Sequence, residues 1–533
     1  MASKKKSPTT WLSARGALAS AVIGVFLVGV SLSGYFLFTN RTKYHWYHLL
    51  SLALRGDVAL QRTLAMYNVH FVPVEHKTYV DDGSPTTSFA LKWRFRPSHA
   101  VPTYPNPPID DTDGDGIPEV YVASYTKGVY ALNGNNGKTL WGWKLPFGVV
   151  GGRALALVKL DHRPRKALIV GTHTTLPIRV YALDVEQERR EADRLLWVRN
   201  LSGDFIEGGL NVTRNSRGAL RIVAATRDAP YSRGSLNILD ARGKFVFPSF
   251  EGLDVCLNRP GIGDLNGDGK YDLVHGSHNF YNVKEGFSIV AREVDSGKLL
   301  WKRKMDFDTG ARNHAILDYD GDGRQDVIVN GWRKTVVLDG MTGGLKKLFP
   351  LEYAGHSRSE SGEPLLLMKE PNRLVVMRAS GKIVYSLKRH GSGTPIVQDS
   401  FGVRLADSQH YSLMVFSHDG EKLHLVVYDL ETGREKERLW LYFEYPPKGP
   451  GSLTAWYGVT NNPSFHVPWE GFVSLADIDA DGFWEVLFQA EDYLYAIDTP
   501  FQIAKGYHPY APIPFRNINN AGVIFISDKD HDL

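Results

Sequence analysis

One phrase, a strand, a tight turn and a second strand, returns along most of this chain and leaves few folds open to it. Complete copies run VYALNGNNGKTLWGWKL (129–145), VYALDVEQERREADRLLWVRNL (180–201), LNILDARGKFVFPSF (236–250), FSIVAREVDSGKLLWKRKM (287–305), TVVLDGMTGGLKKLFPL (335–351), RLVVMRASGKIVYSL (373–387) and LHLVVYDLETGREKERLWLY (423–442). Apolar residues alternating around Gly, Asp and Asn turns mark each copy as a hairpin. A lone hairpin buries too little to be stable, so units repeating every ~40 to 70 residues must stack, and that spacing suits four-stranded blades with some long loops. An eighth copy, LYAID (494–498), lacks its second half, and FALKWRFRP (89–97), near the other end of the chain, has the look of the missing strand. Such a circular offset closes a ring. The expected fold class is therefore all-β: a seven- or eight-bladed β-propeller, eight preferred, spanning 88–502, with 352–422 its least regular part.

A second motif carries the chemistry. Four stretches follow D-x-[DN]-x-D-G-x-x-[DE], each running straight into an apolar strand: DTDGDGIPE (111–119), DLNGDGKYD (264–272), DYDGDGRQD (318–326) and DIDADGFWE (477–485). Calcium takes about six to eight oxygen ligands, and acidic or amide side chains on alternate residues of a tight loop turn several oxygens toward one point. The candidate ligands of the first loop are the side chains of Asp111, Asp113, Asp115 and Glu119 and the carbonyl of Ile117. Those of the second are Asp264, Asn266, Asp268, the Lys270 carbonyl and Asp272. The third offers Asp318, Asp320, Asp322, the Arg324 carbonyl and Asp326, and the fourth Asp477, Asp479, Asp481, the Phe483 carbonyl and Glu485. An EF-hand begins in the same way but needs an acid at loop position twelve and a helix after it. Here that position holds Val122, His275, Val329 or Phe488, and strands follow. Hairpin turns also favour Asp, Asn and Gly, but four copies in one register exceed what turn chemistry requires. The expectation is about four structural calcium ions.

Closing acids at position nine, followed by strands, resemble the calcium loops of FG-GAP repeats, as in the propeller of integrin α chains, and the resemblance covers all four loops. The turn phrases are similar, more loosely, to the repeats of quinoprotein-like propellers, in which a Trp and a Gly dock neighbouring blades. That second likeness implies an alternative, a dehydrogenase using pyrroloquinoline quinone. Many such enzymes carry an adjacent cysteine pair beside the cofactor, whereas this chain has the single Cys256. No H-E-x-x-H or H-x-H cluster, G-x-S-x-G elbow or phosphate-cradling loop appears. The run GHSRSESG (355–362) reads as a polar loop between blades, and His275 and His278 as solvated loop histidines. No catalytic residue is assigned, and the chain is read as a binding protein rather than an enzyme.

Ahead of the repeats, ALASAVIGVFLVGVSLSGYFLF (17–38) carries no charge and is long enough to cross a bilayer as a helix. Tyr35, Phe36 and Phe38 follow where a cleaved signal peptide would end in small residues, which favours an anchor. Lys4, Lys5, Lys6 and Arg15 precede it, so the charge bias keeps the N-terminus cytoplasmic and exports the rest. The expected layout is a cytoplasmic tail (1–16), the transmembrane helix (17–38), a stalk with a short amphipathic helix and linker (39–87), the propeller (88–502) and a C-terminal strand and tail (503–533). With 62 Lys+Arg against 58 Asp+Glu and no basic block, no nucleic-acid partner is expected. Low cysteine use outside the cytoplasm favours a bacterial inner-membrane protein with a periplasmic propeller. The short tail favours an accessory or scaffolding subunit of a larger membrane complex, with a protein partner in or at the membrane, over an adhesion receptor. Carbohydrate is a further candidate ligand, because 12 Trp and 25 Tyr supply ample aromatic surface.

Overall fold

The computed structural model of the protein describes residues 79–81, 90–95, 102–103, 107–124, 128–145, 149–173, 177–203, 206, 210–227, 234–253, 260–276, 287–309, 314–331, 333–370, 373–388, 399–404, 411–418, 422–444, 473–490, 493–503 and 513–514. The chain divides into two units, Met1–Leu60 and Gln61–Leu533, and all described residues belong to the second. The anchor segment 17–38 and the amphipathic helix expected in the stalk lie outside the described residues. Among those described, the one helical element is the single turn Glu191–Asp193, and no helix is long and apolar enough to cross a membrane.

The described chain forms eight antiparallel sheets, and these are the eight blades. Blade 1 is built on Ile109–Asp110, Glu119–Ser124, Gly128–Asn133 and Thr139–Lys144, with Pro102–Thr103 added to its sheet. Blades 2 to 7 follow in chain order, and their first strands are Val149–Lys159, Leu210–Arg214, Gly261–Gly263, His314–Leu317, Glu352–Arg358 and Asp399–Arg404. Blade 8 takes Val473–Ala476, Phe483–Ala490 and Tyr493–Gln502 from the end of the repeats. Its fourth strand is Ala90–Phe95, which pairs antiparallel with Tyr493–Gln502. The circular offset expected from LYAID and FALKWRFRP is therefore the closure of the ring. Tyr79–Asp81 extends blade 7, and Ile513–Pro514 pairs with the first strand of blade 8.

The first strands of blades 2 and 3, of 4 and 5, and of 6 and 7 touch one another, which puts them innermost. The middle strands are apolar on both faces because each is sandwiched between two blades. In Asp326–Gly331, a wholly buried run, Val327 and Val329 join the core between blades 4 and 5 while Ile328 joins that between blades 5 and 6. Among the described residues, similar clusters fill the interfaces from 1–2 through 6–7 and close 8–1, where Trp93 and Phe95 meet Val120 and Leu132. The least regular stretch resolves into blade 6 and the start of blade 7. GHSRSESG belongs to blade 6, as the end of its first strand and the turn after it, and is not a loop between blades. The serines there close that turn with the bond from the Ser359 amide to the Glu363 carbonyl (2.8 Å).

Outer strands of blades 2, 4, 6 and 8 dock those blades on the next. The Trp93 ring lies over Gly137 and its Nε1 donates to the Gly134 carbonyl at 2.6 Å, linking blade 8 to blade 1. Trp301 does the same to Gly343 and Gly340 (2.7 Å), Trp197 to Gly243 and Ala241 (3.2 Å), and Tyr385 to Gly433 and Leu430 (2.8 Å). A Cβ on Gly137 would stand 2.7 Å from the indole. Gly137 is also held at φ +67°, so both space and backbone demand glycine there.

Candidate metal centre: four acidic loops on one rim

In an antiparallel blade the turns after the first and third strands fall at one edge, and the turn after the second strand falls at the other, together with the links between blades. All four acidic motifs are first-to-second-strand turns, in blades 1, 4, 5 and 8, so they share a rim. They form two adjacent pairs, 8 with 1 and 4 with 5, on opposite sides of the ring.

Each loop is folded around its first aspartate. Asp111 accepts from the Gly114 amide (2.7 Å) and the Gly116 amide (3.0 Å). Asp264 accepts from Gly267 (2.8 Å) and Gly269 (2.9 Å), Asp318 from Gly321 (2.7 Å) and Gly323 (3.0 Å), and Asp477 from Asp481 (3.2 Å) and Gly482 (3.0 Å). The middle acids and Asn266 cap the next residues but one. Asp113 takes the Asp115 amide, Asn266 that of Asp268 and Asp479 that of Asp481, while Asp115, Asp268, Asp322 and Asp481 take those of Ile117, Lys270, Arg324 and Phe483. The fourth and sixth positions take positive φ, held by Gly114 and Gly116, Gly267 and Gly269, Gly321 and Gly323, and Ala480 and Gly482. Ala480, at φ +62°, is the one alanine in that set.

The position-nine acids come in from the second strand and are buried: Glu119, Asp272, Asp326 and Glu485 are 3%, 1%, 1% and 0% exposed. Three of them accept the amide of the second loop residue, Glu119 from Thr112 (2.8 Å), Asp272 from Leu265 (3.1 Å) and Glu485 from Ile478 (2.7 Å). Burial pushes Glu485 up to about 9, and Glu119 and Asp272 up to about 7. Asp326 rises less, to about 6, because the Lys346 ammonium offsets its burial.

In three of the four loops a trio of acids draws together, short of the full set that the spacing offers, and among the described residues the blade 4 loop forms no such trio. Carboxylate oxygens of Asp111, Asp113 and Asp115 lie within 4.8 Å of one another, as do those of Asp318, Asp320 and Asp322, and those of Asp477, Asp479 and Glu485. Glu485 supplies the test of fit. Its Oε1 is fully buried without a hydrogen-bond partner, an expensive state for a carboxylate unless a cation completes it. Hard oxygen donors without sulfur or nitrogen suit calcium or magnesium, and the high count of protein oxygens favours calcium.

Two features escaped the sequence reading. His275 is not a solvated loop residue: it closes the second strand of blade 4, 4% exposed, and burial drives its imidazole down to about 3. His278 lies outside the described residues. Two lysines, Lys92 and Lys346, also reach into the acidic loops from outer strands, with ammonium groups 2.5 Å from Asp479 and 2.9 Å from Asp320. Both are remote in sequence from the acids they meet.

No family model matches the chain. Over 268 residues it is 27% identical to rhamnogalacturonan exolyase YesX of Bacillus subtilis (strain 168), covering 46% of this chain and 40% of that enzyme. Over 273 residues it is 26% identical to rhamnogalacturonan endolyase YesW of the same organism, covering 47% and 40%. The chain thus spans 40% of the length of these curated relatives. Among solved structures, Sqt1 of Saccharomyces cerevisiae superposes with a TM-score of 0.50 at 12% identity, covering 78% of this chain and 100% of that one. With the eight sheets and their closure, this likeness places the chain among β-propeller proteins.

Proposed function

We propose that this protein is a membrane-tethered, calcium-stabilised binding propeller, acting as a scaffolding or accessory subunit. The observation that carries the calcium reading is the Glu485 carboxylate, which has one oxygen buried and unpartnered and which comes within 4.8 Å of carboxylate oxygens of Asp477 and Asp479. When bound, calcium supplies charge compensation and cross-links the first and second strands of a blade. The chain's own residues do the rest. Backbone amides hold the first aspartate in place, the glycines make the turn, and the position-nine acid ties the loop to the second strand.

With the metal loops on one rim, ligand binding falls to the other, where blade-to-blade links and second-to-third-strand loops emerge. The described strands that flank 277–286, 389–398 and 445–472 have their ends at that rim. The uncharged segment 17–38 supports the tether. Extraction in mild detergent followed by native electrophoresis tests the subunit role: co-migration with other membrane proteins is expected, and a chain that always runs as a lone monomer sinks it.

A second reading is favoured by one observation, the identity with two rhamnogalacturonan lyases over nearly half of the chain. Under it, the ligand is an acidic polysaccharide, bound or cleaved. Binding on a glycan array without depolymerisation of rhamnogalacturonan keeps the protein a binding module. Release of unsaturated oligosaccharides would make it a lyase.

A further inference from the structure

The outer strands of blades 1, 4 and 8 carry a β-bulge one residue before a Trp, that of blade 5 carries one before Lys347, and in these four calcium-loop blades the bulged residue differs. In blade 1 it is Leu140, between the pairs Leu132 with Thr139 and Ala131 with Trp141. In blade 4 it is Leu300, between Arg292 with Leu299 and Ala291 with Trp301. Both leucines pack against inter-blade cores. The same position holds Lys92 in blade 8, between Ile497 with Leu91 and Ala496 with Trp93, and Lys346 in blade 5, between Leu338 with Leu345 and Val337 with Lys347.

The two lysines do different things. The Lys92 ammonium lies 2.5 Å from Asp479 and 2.7 Å from Asp498, a residue of the third strand. It leaves the Glu485 Oε1 buried and without a partner, so the blade 8 loop still calls for a cation. The Lys346 ammonium sits inside its loop, 2.9 Å from Asp320 and from Asp326, 3.6 Å from Asp322 and 4.0 Å from Asp339. It thereby engages the third, fifth and ninth positions of the motif, those that in a calcium site would be ligands. Lys270 and Arg324, by contrast, each pair with the acid two residues before them, at 3.2 and 3.1 Å, and stay half exposed.

We propose that the four loops, alike in sequence, are of two kinds: those of blades 1, 4 and 8 take a divalent cation, and that of blade 5 carries a cation of its own, the tethered ammonium of Lys346. The inference rests on the calcium reading above and deepens it. An ion entering the blade 5 loop must expel an ammonium that the chain holds at high effective concentration. It must also do so at a site where two of the oxygens it needs already accept hydrogen bonds. The blade would be stapled from its outer strand to its first-to-second-strand turn without metal, so this part of the ring keeps its loop folded when calcium is scarce.

Calcium titration of the full-length protein in detergent, by calorimetry and by metal content after desalting, tests this against the Lys346→Leu variant, which installs the residue that blades 1 and 4 already use. The expected result is three tightly held ions in the native protein and four in the variant, the new site binding at least ~10-fold more tightly than any fourth site of the native chain. Lys346→Gln, which keeps the polarity and loses the charge, should also give four if the leucine variant misfolds, and Lys346→Arg should stay at three. Four equivalent ions in the native protein, unchanged by these substitutions, would overturn the proposal while leaving the calcium reading intact. No bound calcium in any variant would overturn both.

Discussion

The indole Nε1 of Trp93 donates to the carbonyl of Gly134, 2.6 Å away, and this one contact ties the strand that completes blade 8 to the turn of blade 1. Trp93→Ala should therefore cost about 3–5 kcal/mol, the range for truncating a buried aromatic. Trp93→Phe, which keeps most of the packing and loses the hydrogen bond, should cost less. Urea unfolding followed by tryptophan fluorescence measures both, and equal losses would show that packing is not what the indole supplies.

Calcium should raise the melting temperature and chelator should lower it. At free calcium a hundredfold above the dissociation constant each site adds about 2.7 kcal/mol. In Glu485→Gln the calcium-dependent part of the rise should shrink while the calcium-free protein holds steady or gains, because the substitution removes a buried, incompletely compensated acid. Scanning calorimetry with and without chelator checks this.

The same acids set a pH dependence. In the metal-free protein Glu485, Glu119 and Asp272 are raised by burial to about 9, 7 and 7. They hold their protons in the folded state when the unfolded chain has released them. Their contribution is thus fully present below the ordinary carboxylate range and is lost as pH rises through 7 toward 9. The buried histidines work the other way. His275 and His314, lowered to about 3 and 4, contribute stability above about 6.5 that is lost as pH falls toward those values. The calcium-induced gain in stability isolates the acids, and it should grow from pH 5 to pH 8; a gain independent of pH would contradict the assignment.

Glycine at the sixth loop position is a conformational requirement. Gly323→Ala, at φ +83° with nothing within 4 Å of a new Cβ, should cost about 1–2 kcal/mol from the left-handed backbone alone. Ala480→Gly relieves the same strain in the blade 8 loop but enlarges the unfolded ensemble, so its net effect should stay within about 1 kcal/mol. Chemical denaturation of each variant in chelator reads the difference.

Much of this was legible in the sequence because it is local or periodic. Turn phrases gave the blades, the missing second half of LYAID gave the closure, and alternate acids gave four loops, in three of which a trio of carboxylates draws together. What escaped was long-range. Lys92 and Lys346 approach their carboxylates across a bulge in another strand, and spacing along the chain carries no sign of that. His275 went unread as a core residue because the burial of its whole strand, Asp272–Gly276, comes from packing between sheets and leaves no mark in local spacing.

Closure by Ala90–Phe95 also fixes when the fold can be finished. The strand is made early, but its partner Tyr493–Gln502 is made some four hundred residues later, so the last edge of the sheet stays open through nearly all of synthesis. An unpaired, half-apolar edge is a template for pairing with other chains. Until Gln502 emerges, the growing polypeptide is a row of blades with two sticky ends, and its safe passage depends on keeping those ends apart from everything except each other.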